Sequence, residues 1–516
     1  MYFRNRLSGL EEACHNPTRL PDLPEELLQH VLKQLVPTVR PPLDSSRQGK
    51  YFKDGRAKVD TLLTCMRASQ LLYRLAHPLL YHTFDTRIYP RQAAWKYTVL
   101  LIQKPELAVL AREIHVDMTG DYRTAVAAST AREASVGSSL HTLLENAEHM
   151  PDLSESLRRR LFHAIFGSYI VAERALLWAL CPNVKILSFT VADRQVGPIS
   201  SEPNRYDRIP FELIAEAVQL ATAGEGDPCS SGAMLSRVEE VFVDSQPRTD
   251  EAHPFAPLYS VPVLQLPSLQ CYCGWLSNWA IRVLASDSDP SSLLELHIDT
   301  WELGADGIAA ITRHFPQLKV MDIRWSENFS ASDDDIDNSI NPLQFGDATV
   351  SLVERARQLK TLRLNTSDFI TEHRLHTQRL TSLAALGELR NLEVPIEALL
   401  PNSGNEAESD SDEEPVPSES GDGDEGDDSA TSEMAVCLTE MLPTSLRTLK
   451  IIDDWGERDD AERLDEQLRV LMTDGEFQRL RSIRVRRTIR FDDDLVPEGW
   501  KLGGNRYWVV LKRTCR

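Results

Sequence analysis

A short apolar motif recurs through most of the 516-residue sequence and constrains its fold more than any other feature. The motif has the form Leu-x-x-Leu-x-Leu, with Val, Ile, Met or Phe replacing some of the leucines. A strand this short cannot bury its apolar side chains alone, but stacked copies build a continuous core. The motif therefore predicts one strand per copy. The central residues of the nine copies, the poorest being the third, are Leu187, Val241, Tyr272, Leu296, Met321, Leu362, Leu392, Leu449 and Ile483.

Helical stretches separate several of these copies, as 308–314 and 351–356 do. The centres at 272, 296 and 321 lie 24 and 25 residues apart, whereas the steps of 54 (187 to 241) and 57 (392 to 449) require insertions. This alternation resembles leucine-rich repeats, although the Asn of the strict motif is mostly absent. We expect an α/β solenoid of irregular repeats over 95–401 and 434–516. The alternative is an α/β domain whose strands happen to share a leucine spacing.

A second apolar pattern lies near the start, from residue 20 to residue 84. Pro24 suits the first position of a helix, and a wide apolar stripe follows it. Residues 62–79 repeat such a stripe, and Pro78 is expected to end that helix near His77. The first stripe consists of Leu27, Leu28, Val31, Leu32 and Leu35, and the second of Leu62, Leu63, Met66, Leu72, Leu75, Ala76 and Leu79.

These residues resemble an F-box. The leucine–proline start at Leu23-Pro24, the Ala68-Ser69 middle and the Leu-Ala-x-Pro-x-Leu-Tyr close carry the resemblance, although Gln70 stands where Arg is usual. The main departure is 36–60, a polar, Pro-rich stretch that we expect to be an inserted loop. The resemblance implies a small all-helical head before the repeats, with 1–19 as a loosely ordered lead. An ordinary helical hairpin packed on a larger core is the alternative.

An F-box-like head joined to leucine-rich repeats is similar to a family most familiar from fungi. The resemblance implies a substrate receptor of an SCF-type ubiquitin ligase, with a Skp-family adaptor and a cullin scaffold as partners and an unknown protein as target. The rival hypothesis is a non-ligase scaffold whose head only caps the repeats. The implied adaptor-binding residues are Leu23, Pro24, Leu27, Leu28, Val31, Leu32, Leu35, Leu63 and Met66.

Strand alternation predicts where the repeats would contact a target. Residues between the buried positions of a strand project to the opposite face, so Leu362 should be buried and its neighbour Arg363 exposed. The candidate target contacts chosen in this way are Asp322, Arg324, Arg363, Lys450, Arg484 and Arg486.

The net charge of −22 disfavours nucleic acid and anionic membranes as partners, but it is unevenly distributed. Residues 402–433 hold thirteen acidic residues and no Lys or Arg, which leaves −22 + 13 = −9 for the rest. A segment with so few apolar residues cannot bury enough surface to offset the entropy that it would lose on ordering. We therefore expect this segment to be an acidic disordered insertion. Ser409 and Ser411 each precede an acidic residue by three positions, which resembles an acidophilic-kinase site, although this composition alone often produces that pattern.

Motifs for catalysis, cofactors and metals are missing from the sequence. It has no Gly-rich phosphate loop, no Gly-x-Ser-x-Gly and no Cys-x-x-Cys pair among its eight cysteines. His141 and His149 are eight residues apart, too far along a helix to share a metal. We therefore expect a non-enzymatic protein without cofactor or metal. The start lacks an apolar signal core, so we expect a cytoplasmic or nuclear protein.

Overall fold

A computed structural model gives the fold of the chain. It describes residues 23–40, 48–89, 91–118, 153–166, 170–192, 209–223, 234–246, 257–276, 278–287, 291–300, 303–326, 345–368, 380–400, 437–452, 458–486, 496–505 and 507–514. The described part is a mixed α/β fold with thirteen strands, most of them parallel. No helix in those ranges is both long enough and apolar enough to cross a membrane.

The helices of the described residues alternate with strands over most of the chain. Two short 3-10 helices occupy Ile396–Ala398 and Gly475–Phe477. The α-helices are α1 (Glu25–Lys33), α2 (Gln48–Ala68), α3 (Gln70–Leu80), α4 (Arg91–Gln103), α5 (Pro105–Ala108), α6 (Glu155–Phe166), α7 (Ile170–Leu180), α8 (Ile209–Ala223), α9 (Pro257–Leu264), α10 (Asn278–Asp287), α11 (Ala305–His314), α12 (Phe345–Arg355), α13 (Leu438–Met441) and α14 (Arg458–Thr473).

The strands coincide with the repeated apolar motif. Each of the nine motif copies lies at one of the strands β3 to β11, as predicted. The strands are β1 (Thr83–Asp85), β2 (Glu113–Asp117), β3 (Ile186–Ala192), β4 (Glu240–Gln246), β5 (Cys271–Trp275), β6 (Glu295–Thr300), β7 (Val320–Ser326), β8 (Thr361–Asp368), β9 (Asn391–Pro395), β10 (Thr448–Ile452), β11 (Ser482–Arg486), β12 (Trp500–Gly504) and β13 (Trp508–Arg513).

Backbone contacts divide the chain into two units. Unit 1 comprises 1–248 and 262–273, and unit 2 comprises 249–261 and 274–516. In unit 1, parallel strands follow one another from β1 through β4 to the start of β5. In unit 2, β6 to β11 also pair in parallel in chain order, after which β13 pairs antiparallel with β11 and β12 with β13. Residues 20–84 lie in the same unit as the first strands, so this division does not separate a head from the repeats.

The central motif residues form the core row of each unit. In unit 1, Leu187 on β3 is in register with Val241, which in turn aligns with Tyr272. In unit 2, Met321 on β7 is in register with Leu296 on one side and Leu362 on the other. The row continues through Leu392, Leu449 and Ile483, and every one of these side chains is buried. The repeat spacing therefore predicted both the strands and which of their residues face the core.

The stretch 36–60 is not the inserted loop that the sequence suggested. Helix α2 begins at Gln48, so the second half of this stretch is helical. Gly55 on α2 is buried, and a side chain there would come within 2.6 Å of Ile88. Its glycine thus serves close packing rather than a turn.

Three further helix and strand boundaries differ from expectation. Ser69 accepts a hydrogen bond from the Leu72 N–H at 3.1 Å and caps α3, which separates it from α2. Helix α3 continues past Pro78 to Leu80, because a proline so near the end removes few hydrogen bonds. The last two strands, β12 and β13, form an antiparallel hairpin rather than a repeat.

Candidate functional site

The open face of the unit 2 strands is the first candidate site. We call it the open face because it carries the residues that alternate with the buried motif positions. On β11, for example, Ile483 and Val485 are buried while Arg484 and Arg486 are exposed. The predicted strand facing is confirmed on β8 as well, where Leu362 is fully buried and Arg363 is 41% exposed.

Charged side chains on this face form a single row across six strands, which we call the charged row. Its members occupy one register position, immediately after the buried central residue of each strand. Four of them, Asp322, Arg363, Lys450 and Arg484, were predicted as contacts. The full row is His297, Asp322, Arg363, Glu393, Lys450 and Arg484.

Two acidic residues hold the first five members together. The Asp322 Oδ2 atom lies 3.2 Å from His297 Nδ1 and accepts a hydrogen bond from Arg363 Nη1 at 3.1 Å. The Glu393 carboxylate is 3.7 Å from Arg363 Nε and also pairs with Lys450. The Lys450 ammonium lies 4.8 Å from the centre of the Trp508 ring. Arg363 and Lys450 thus each have an acidic partner, and His297 lies within hydrogen-bonding distance of Asp322.

The electrostatics of Asp322 reflect this arrangement. Burial alone would raise the pKa of its carboxyl, since it disfavours the charged form. The hydrogen bond with His297 and the charge of Arg363 outweigh burial, so the pKa of Asp322 lies below its ordinary value. Asp322 is therefore ionised at neutral pH and acts as an acceptor at the centre of the row.

Two members of the charged row were missed by the sequence analysis. His297 and Glu393 each follow a predicted central residue by one position, as Asp322 and Arg363 do. Applying the same offset to all nine motif copies would have found both. The Trp508 contact could not have been found in this way, because β13 is outside the repeat pattern.

The remaining predicted contacts lie away from the paired part of the row. Arg324 is exposed two positions further along β7, with its Nε 3.8 Å from Asp299 Oδ1. Arg484 and Arg486 are exposed on β11. Within the described residues, Arg484 has no acidic partner. The open face thus changes from paired charges on β7 to β10 to Arg484 on β11, which has no acidic partner among the described residues.

The second candidate site is the apolar surface of α1 and α3 in unit 1. Helices α1 to α3 share an apolar core that includes Leu28, Leu32 and Leu62, with Leu23, Leu35 and Met66 partly buried against it. Leu27 and Val31 lie one turn apart on α1 and are 53% and 47% exposed. Tyr73 on α3 is 47% exposed.

The predicted adaptor-binding residues therefore divide into two groups. Leu28 and Leu32 are buried and hold the helices together, so they are unavailable to a partner. Pro24, Leu27 and Val31 are exposed, and Leu63 is half-buried. Sequence periodicity could not separate these groups, because both lie within the same wide stripe.

An extended segment, 37–40, covers the open face of the first unit 1 strands. Thr83 Oγ1 donates to the Pro37 carbonyl at 3.0 Å, and the Val39 N–H donates to Glu113 Oε2 at 3.0 Å. Arg40 pairs with Glu240 on β4. Because this segment reaches from β1 to β4, the open face of these strands is occupied by the chain itself.

Arg87 fixes this segment to the buried end of β1. Its Nη2 donates to the Val39 carbonyl at 2.9 Å and to Asp85 Oδ2 at 2.8 Å, and Asp85 is fully buried. The guanidinium carbon lies 5.6 Å and 5.4 Å from the ring centres of Tyr51 and Phe52 on α2. The first turns of α2 therefore share this packing.

Some of the predicted features lie outside the described residues. These are the leading segment 1–19, the acidic stretch 402–433 and the two phosphorylation candidates Ser409 and Ser411.

No family model matches the sequence, and no curated protein does either.

Proposed function

We propose that this protein is a substrate-recognition subunit of an SCF-type E3 ubiquitin ligase. Helices α1 to α3 would act as an F-box-like head that binds a Skp-family adaptor, and the adaptor would connect it to a cullin scaffold. The strands and helices that follow would form irregular leucine-rich repeats that hold a protein target. The protein would work by proximity, since tethering a target raises its effective concentration near the ubiquitin-conjugating enzyme.

One observation carries this proposal: part of the apolar stripe remains exposed after the helices have packed. Leu28 and Leu32 already supply the core, so Leu27 and Val31 are not needed for folding the head. Large apolar side chains exposed one turn apart on a helix are typical of a surface that packs on a partner. The acidic first turn of α1, Glu25 and Glu26, would lie at the rim of that contact.

The proposal that the sheet is a repeat array rests on its register. The central motif residues align from β6 to β11 within unit 2, and a described helix lies between most successive strands. Parallel strands joined through helices are what stacked leucine-rich repeats require. The charged row would then be the recognition surface, because it is the polar face of the repeats.

A second candidate, a non-ligase scaffold with a capping head, has its own supporting observation. Segment 37–40 packs on the unit 1 strands, and β1 follows α3 and pairs with β2. A cap makes such contacts, because the first repeat otherwise exposes its core. The two candidates differ in whether the exposed residues of α1 bind anything.

Size-exclusion chromatography with a purified Skp-family adaptor tests the choice. We expect wild-type protein to co-elute with the adaptor and Leu27→Asp to abolish co-elution, because the change places a charge in a desolvated contact. Leu28→Asp would not be informative, since it would disrupt the core of the head itself. Val109→Asp is the matched control, because Val109 in the same unit is also 47% exposed but lies outside α1 to α3. If wild-type protein does not co-elute, the ligase proposal fails and the scaffold is favoured.

A further inference from the structure

Positive charge collects on the open face at the C-terminal strands β11, β13 and β12. Lys512 on β13 is in register with Ser482, and Lys501 on β12 is in register with Lys512, so both lysines share the open face with Arg484. Arg484, Lys501 and Lys512 are all exposed. We call Lys450, Arg484, Arg486, Lys501 and Lys512 the basic face.

The basic face differs from the rest of the charged row because it contains no acidic residue. On β7 and β9, Asp322 and Glu393 neutralise their cationic neighbours. None of the three strands β11, β12 and β13 contains Asp or Glu. In the charged row, Arg484 is flanked by Lys450 on one side and by Val510 on the other. Arg484, Lys501 and Lys512 therefore have no acidic neighbour on these three strands.

A shallow groove runs over β12 and β13 beside these cations. Lys501 and Lys512 line it together with Gly503, Val510 and Thr514, and its volume is about 470 Å³. A Cβ at Gly503 would meet no atom closer than the Val510 carbonyl oxygen at 3.9 Å. Since Gly503 has no side chain, backbone forms this part of the groove floor. An extended chain can lie there with its own backbone close to the sheet.

The dimensions suit a short extended peptide. Neighbouring strands are about 4.8 Å apart, and alternate residues along one strand are about 6.7 Å apart. Because Lys and Arg side chains are long and flexible, the cations on β11, β13 and β12 can reach acidic side chains two residues apart in an extended segment. Carboxylates and the cations of Lys and Arg form charge-assisted hydrogen bonds at such distances.

We propose that the basic face binds an extended acidic segment of the protein target. This inference rests on the proposed function, because it names the class of target that the receptor would hold. A nucleic acid is the other polyanion with suitable charge, but the protein carries a net charge of −22. That charge repels a long polyanion more than it repels a short peptide.

Fluorescence polarisation of the full-length protein with labelled peptides tests the inference. The probe is a peptide of alternating Glu and Ser, and the matched peptide has Gln in place of every Glu. We expect binding of the Glu peptide alone, weakened when NaCl is raised to about 0.3 M, because salt screens exposed charge. Arg484→Glu combined with Lys512→Glu should weaken binding by about tenfold or more, since two attractions become repulsions.

Arg479→Glu is the control for a change of charge alone, because Arg479 is exposed but precedes β11 and lies outside the open face. It should bind the Glu peptide within about twofold of wild type. Equal binding of the Glu and Gln peptides would overturn the inference. So would an unchanged affinity in the double variant, or tighter binding of a single-stranded oligothymidylate than of the Glu peptide. Peptide binding needs no adaptor, so failure here leaves the co-elution test of the ligase proposal unaffected.

Discussion

Replacing Leu362 by alanine tests the repeat packing at its most enclosed point. Leu362 is fully buried near the start of β8, in register with Met321 on one side and Leu392 on the other. Truncating a buried leucine costs about 2–5 kcal/mol, and the cost is larger where neighbours cannot close the cavity. Strands on both sides restrict such closure, so we expect about 3–4 kcal/mol.

Two control variants separate the effect of removing a buried side chain from the effect of removing side-chain atoms in general. Val350 on the adjacent helix α12 is 52% exposed, so Val350→Ala should change stability by less than about 0.5 kcal/mol. Arg363→Ala removes contacts with Asp322 and Glu393. Because Arg363 is partly exposed, the protein should lose less than about 1 kcal/mol of stability.

Urea denaturation followed by far-UV circular dichroism gives the free energy of unfolding for all three variants. Because two units can unfold separately, amide hydrogen exchange of β7 to β9 should be measured alongside it. Leu362→Ala should accelerate exchange in all three strands together, as expected of packed neighbouring repeats. If Leu362→Ala lowers the free energy of unfolding by no more than Arg363→Ala does, the assigned facing of β8 is refuted.

Two further predictions concern charge. Arg87→Ala leaves the fully buried Asp85 carboxylate without its cation, so it should destabilise the protein by about 3–5 kcal/mol in thermal or urea unfolding. Adding Asp85→Asn should recover part of the lost stability. A double variant less stable than Arg87→Ala would contradict this prediction. Because the pKa of Asp322 is lowered in the folded state, its stabilising contribution is complete above the unfolded pKa of about 3.9 and disappears as pH falls through the lower folded value. Asp322→Asn should therefore reduce the pH dependence of urea stability below about pH 4, and an unchanged profile would rule out this role.

The positions of nine strands, and which of their residues face the core, could be predicted from the sequence alone. The reason is that side-chain facing in a strand has a period of two, so a repeated apolar motif specifies both the strand and its buried side. Leu362 and Arg363 illustrate this, since one is buried and the other exposed as predicted. The same offset also locates every member of the charged row.

Other features depended on contacts between residues distant in sequence. The polar, Pro-rich stretch 36–60 resembles a loop, yet helix α2 begins at Gln48, and Ile88 packs where a side chain at Gly55 would be. Leu27 and Leu28 have the same local pattern, and only the packing of α2 and α3 decides which is buried.

The sequence by itself determined where the repeated strands lie and which of their residues face the core, because apolar periodicity is a local property of the chain. The tertiary structure decided which charges meet. Asp322 pairs with Arg363, 41 residues away, and Glu393 with Lys450, 57 residues away, whereas Arg484 is left without an acidic neighbour among the described residues. It also decided that segment 37–40 covers the first strands. Such pairings depend on register across separate strands, which no local pattern specifies.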